Sequence, residues 1–138
     1  MIKLPSGVDL QNLINYLKIF SWEASDVLLH YAQILKDTKN RKDILKNNDI
    51  NDPVTLADLK VNEIIIKKIN EKYNGIDWKI LSEENVKSIP NDLDFNHDWV
   101  WVIDPLDGTK DFIQGSSNYA MHLALNYKNK PFIGLVLI

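Results

Sequence analysis

The sequence contains no cysteine. That excludes disulfides and thiolate metal sites, and it fits a reducing compartment. It also lacks any apolar run near membrane-spanning length, and the amino-terminal MIKLPSG has no signal-peptide core. There is no long basic stretch, and the formal net charge is −3. Composition therefore makes no case for nucleic acid as a partner. Neither internal repeats nor low-complexity linkers occur. What remains is ordinary for a soluble globular chain: 138 residues, 45% hydrophobic and 25% charged. The expectation is a cytoplasmic domain with a real core and no membrane insertion.

The stretch around which the rest is organised is residues 99–112, WVWVIDPLDGTKDF. Its unbroken apolar opening, residues 99–103, has the pattern of a strand buried on both faces that delivers Asp104 at its carboxyl end. Pro105 fixes φ and removes an N–H, so the chain is expected to leave the sheet there. Asp107-Gly108 is turn chemistry, and Gly108 can take a backbone shape that a side chain forbids. Thr109 stands where a short helix begins. Two carboxylates beside free N–H groups suit a hard cation bridged to a phosphate, although Asp-Pro and Asp-Gly also occur in ordinary turns.

Upstream, residues 9–36 place Leu10, Leu13, Leu17, Phe20, Ala24, Val27, Tyr31 and Ile34 at helical spacing, the mark of a packing helix. Residues 37–51 are polar and charged and read as a loop. Residues 52–58, DPVTLAD, pair Thr55 with Asp58 as a helix-start signature. Leu59, Ile65, Ile66 and Ile69 supply the buried side, and Gly75 supplies the stop. On this evidence Asp58 could be no more than a cap. Residues 78–81 form a short apolar strand that delivers Ser82, Glu83 and Glu84, and residues 85–98 connect it to the central strand. Residues 119–127 alternate as a two-faced strand, and Lys128-Asn129-Lys130 turns it into the apolar segment 131–138 as an antiparallel hairpin. His122, between two alanines, reads as a packed or half-exposed histidine. The last segment ends without a turn or polar tail, so the chain is expected to be the first part of something longer.

DPVTLAD, SEE and WVIDPLDGTKDF, in this order and spacing, resemble the lithium-sensitive, Mg²⁺-dependent phosphatase superfamily of inositol monophosphatase, fructose-1,6-bisphosphatase and 3'(2'),5'-bisphosphate nucleotidase. The resemblance covers about residues 50–138. Lys110-Asp111-Phe112 after the threonine is similar to the bacterial nucleotidases that convert adenosine 3',5'-bisphosphate to AMP and phosphate in sulfate assimilation. It implies an α+β fold: the amino-terminal half of a layered architecture, with long helices packed on a largely antiparallel sheet. Residues 1–138 would be the metal-binding part, with a carboxyl-terminal domain absent from the chain.

The resemblance also implies roles. Glu83, Asp104 and the Leu106 carbonyl would hold one Mg²⁺. Asp104 and Asp107 would hold a second, with an aspartate from the other domain. Asp58 and Thr109 would orient and deprotonate the attacking water. The phosphate ester would lie against Glu83, Leu106, Asp107, Gly108 and Thr109, the amides of the last two meeting phosphate. Other readings are an inositol or sugar phosphate phosphatase of the same superfamily, and a non-enzymatic fragment.

Overall fold

The computed structural model describes residues 2–36, 55–83 and 97–138. The expected loop at 37–51, Asp52 to Val54 of the DPVTLAD stretch, Glu84 and most of the connector lie outside them. Helix α1 is Leu10–Leu35, and Asp9 caps it by accepting from the Asn12 amide at 3.0 Å. Its buried stripe is Leu13, Leu17, Phe20, Ala24, Leu28 and Leu35. Leu10, expected on that stripe, is 43% exposed. It is the first residue of the helix, next to the Asp9 cap.

Helix α2, Leu56–Lys72, begins with a reciprocal capping box between Thr55 and Asp58. Ala57, Val61, Ile65 and Ile69 are buried, whereas Leu59 points outward and Ile66 is only partly covered. The buried face thus follows the four-residue ridge set by Ala57 and Val61. Gly75, at φ +79°, turns the chain after the helix.

Strands β1 (Lys79–Ser82), β2 (Trp99–Asp107), β3 (Ala120–Tyr127) and β4 (Lys130–Leu137) form one sheet in the order β1-β2-β3-β4. The first pair is parallel and the others are antiparallel. The hairpin joining β3 to β4 turns on Lys128 (φ 48°) and Asn129 (φ 67°), the twin positive φ of a two-residue hairpin turn. Helix α3, Thr109–Gln114, sits between β2 and β3. One face of the sheet, carrying Trp101, Ile103, Met121, Leu123 and Leu125, joins the helices in a single core. Truncating Leu13 or Ile65 to alanine there would cost about 2–5 kcal/mol.

Two expectations about β2 need correction. Pro105 does not end the strand. β2 carries an extra residue between Asp104 and Asp107, then pairs again through Asp107 and Ala120. A bulge lets an imide without an N–H remain inside a strand, because the ladder is already interrupted there. The strand is also not covered evenly. Trp101 and Ile103 are fully buried against the helices, but Val102 on the opposite face is 41% exposed.

Candidate functional site

The carboxyl ends of β1 and β2, the start of α2 and the start of α3 meet at one place. Ser82 pairs with Ile103 across the parallel ladder. The next residues, Glu83 and Asp104, therefore leave neighbouring strands side by side. Their carboxyl groups share a hydrogen bond. Burial, that bond and the nearby charges of Glu83 and Asp107 push the Asp104 pKa up to about 6. Asp104 Oδ1 is buried and has no hydrogen-bond partner. Glu83 and Asp107 are exposed, so the cluster opens to solvent on one side.

Asp58 is the other acid, and it is 2% exposed. Its Oδ2 accepts from the Thr55 amide at 2.9 Å and the Thr55 hydroxyl at 2.6 Å. Its Oδ1 faces the Thr109 hydroxyl at 3.3 Å. That hydroxyl also reaches the Leu106 carbonyl at 3.1 Å, so a single proton is offered to two acceptors. Burial raises the Asp58 pKa, and the bonds from Thr55 and Thr109 oppose the rise.

Gly108 makes the turn between these groups possible. It lies at φ +82°, and a Cβ there would stand 2.5 Å from the Asn118 carbonyl oxygen. Leu106 is buried behind the turn, and Phe112 anchors α3 edge-on against Tyr119 at 4.9 Å.

The residues expected from sequence thus fall into two contacting pairs, Asp58 with Thr109 and Glu83 with Asp104. The Leu106 carbonyl and Gly108 lie between them in the chain. Among the described residues no three acidic or histidine side chains form a group that could hold a metal by themselves. Asp107 contributes charge rather than a shared contact. Two further neighbours complete the surroundings: His122, read from the sequence as packed or half-exposed and partly buried here, and Asn62, which the sequence reading does not single out. His122 lies directly across the ladder from Asp104. Asn62 accepts a hydrogen bond from the Ser82 hydroxyl, and both are buried. The only local sign of Asn62 was its place one helical turn after Asp58.

A sequence model described as the inositol monophosphatase family matches residues 9–137. The chain is 36% identical over 103 residues to the bifunctional phosphatase IMPL2 of Arabidopsis thaliana, covering 75% of this chain and 28% of that protein. It is 29% identical over 126 residues to the 3'(2'),5'-bisphosphate nucleotidase CysQ of Haemophilus influenzae, covering 91% and 43%. The chain therefore spans less than half the length of these relatives. Among solved structures, the extragenic suppressor protein suhB of Bartonella henselae superposes with a TM-score of 0.68 at 21% identity, over 91% of this chain and 44% of that one.

Proposed function

Because this chain belongs to the inositol monophosphatase family, we propose that it serves Mg²⁺-dependent hydrolysis of phosphate monoesters, with adenosine 3',5'-bisphosphate as the preferred substrate. The observation that carries the reading is the Glu83–Asp104 contact beside a buried, partnerless carboxylate oxygen. Two carboxylates held together at neutral pH call for a proton or a cation between them. Every donor available here (Glu83, Asp104, the Leu106 carbonyl and Asp107) is oxygen, the set a hard divalent ion takes. The donors fit Mg²⁺. When bound, that ion would polarise the phosphoryl group and lower the pKa of a coordinated water.

The protein's own residues do the rest in this reading. Thr109 accepts a hydrogen bond from the attacking water while donating its own proton to Asp58. The buried Asp58, with its pKa raised, is the eventual proton acceptor. Water attacks phosphorus in line, the ester P–O bond breaks, and the leaving oxygen takes a proton from solvent. The amides of Gly108 and Thr109 meet the phosphate, at a turn so close to the Asn118 carbonyl that only glycine fits at 108. The nucleotide preference rests on Lys110-Asp111-Phe112 and on the similarity to the Haemophilus nucleotidase. Residues 1–138 supply the metal-binding part of such a phosphatase, acting in the cytoplasm on a small phosphate ester.

The description of the matching family as inositol monophosphatases favours a second reading, an inositol or sugar phosphate as substrate. A panel of adenosine 3',5'-bisphosphate, inositol 1-phosphate and fructose 1,6-bisphosphate, assayed for phosphate release at saturating Mg²⁺, separates the two. The first reading expects the nucleotide to lead by at least about tenfold in kcat/KM. A lead for inositol or sugar phosphate selects the second. No Mg²⁺-dependent release from any ester, by protein that binds Mn²⁺, overturns both.

A further inference from the structure

Strand β1 is short and lies at the sheet's edge, yet its register decides where Glu83 emerges. Its burial is partial at Lys79, Ile80 and Leu81, and complete only at Ser82. Apolar packing therefore specifies its position weakly. At its start, Trp78 lies edge-on to Trp101 at 5.3 Å. At its end, the Ser82 hydroxyl donates to Asn62 Oδ1 on α2, between side chains that are 1% and 8% exposed. A slip of one residue against β2 would carry Ser82 to the opposite face, and Glu83 with it. The slip would also break this buried hydrogen bond, so the slipped arrangement is disfavoured. Asn62 and Asp58 stand one turn apart on α2, so this bond also ties the element carrying Asp58 to the strand delivering Glu83.

We propose that Asn62 and Ser82 are positioning residues, whose buried hydrogen bond sets the end of β1 so that the Glu83 carboxylate meets Asp104 and the two can share a divalent cation. The inference rests on the reading of Glu83 and Asp104 as cation ligands. A bare packing role would serve stability alone; a positioning role makes cation affinity depend on a bond that touches no cation.

The test is Mn²⁺ binding, read from the free-ion electron paramagnetic resonance signal, alongside thermal unfolding in chelator. The proteins are the unaltered chain, Ser82→Ala, Asn62→Leu, the double variant, Ser82→Thr, Glu83→Gln and Asp104→Asn. Ser82→Ala and Asn62→Leu should each weaken Mn²⁺ binding by about tenfold or more, the effect typical of groups that orient ligands. Ser82→Thr keeps the hydroxyl and should stay within about threefold of the unaltered chain. The double variant places apolar against apolar, so it should recover unfolding temperature while remaining weak for Mn²⁺. Undiminished affinity in Ser82→Ala and Asn62→Leu, with weak binding by Glu83→Gln and Asp104→Asn, overturns the positioning role and leaves the ligand reading intact. Undiminished affinity in Glu83→Gln and Asp104→Asn overturns the ligand reading itself, and the proposal with it.

Discussion

The two acidic pairs at the site have been treated differently by the fold. Asp58 is nearly sealed from solvent, yet its oxygens are met by the Thr55 amide, the Thr55 hydroxyl and the Thr109 hydroxyl. Asp104 is half-buried, touches another carboxyl group, and keeps one oxygen without a partner. Both acids have raised pKa values, but from different causes. For Asp58 the cause is burial, opposed by its donors. For Asp104 burial is reinforced by Glu83 and Asp107. A carboxylate supplied with donors is held in place and can exchange a proton along a defined bond. One held against its own kind is short of positive charge. The first arrangement suits proton handling, and the second suits an incoming cation.

The sharpest way to break that contrast is to neutralise each acid in turn. Asp104→Asn should weaken Mn²⁺ binding by about a hundredfold or more and bring down turnover with it, since a ligand and its charge are both lost. Asp58→Asn should leave Mn²⁺ affinity within about threefold and lower kcat by about 10²–10⁴, the span of a lost general base. Calorimetric titration and initial rates, taken together, decide the matter. Equal losses of affinity in both variants would erase the distinction between the pairs.

Next in size are two backbone effects. Gly108→Ala meets both a positive φ and a carbonyl oxygen 2.5 Å from the new Cβ, so the turn between the pairs must shift. Gly75→Ala has a similar φ, but nothing lies near the added carbon. Gly75→Ala should cost about 1 kcal/mol, and Gly108→Ala about 2–3 kcal/mol. Denaturant unfolding would resolve that gap, and comparable losses at both glycines would mean that the turn yields readily. Thr55→Ala removes a cap that also fixes Asp58. It should cost about 1–2 kcal/mol and lower kcat as well, whereas a plain cap would affect stability alone.

Local chemistry was legible in the chain; convergence was not. The Thr55–Asp58 capping box, the glycine stop at Gly75 and the Lys128-Asn129 hairpin are short-range patterns, and each lies where the residues placed it. Periodicity found the helices but blurred the edges of their buried stripes, which is why Leu10 and Leu59 point outward. Pro105 was misjudged because a bulge depends on the partner strand, which no local rule inspects. Asp58 and Thr109 are 51 positions apart, and Asn62 and Ser82 are 20 apart. Neither pairing follows from spacing. The first was anticipated through resemblance to a family of phosphatases, and the second was not anticipated at all.

The smallest expected effect is the one that titrates the contrast. In the folded chain Asp104 has a pKa of about 6, against an ordinary value of 3.8. An acid whose pKa rises on folding binds its proton more tightly in the folded state. Folding is then most favoured below about pH 4, and stability falls as pH rises to about 6, where the loss levels off. Asp58 shifts in the same direction and adds to the slope. Since Asp104 is only half-buried, its share should be only about 1 kcal/mol. In chelator the melting temperature should therefore drop between pH 4 and pH 6.5. Added Mn²⁺ binds the ionised pair, so it should raise the melting temperature at pH 7 and do little at pH 4.5. Asp104→Asn removes one titrating group and the cation's main anchor, and should flatten the chelator curve while abolishing the Mn²⁺ increment. Asp58→Asn should flatten the curve in part and keep the increment. If Mn²⁺ stabilised the chain equally at pH 4.5 and pH 7, the cation would be bound somewhere other than between Glu83 and Asp104.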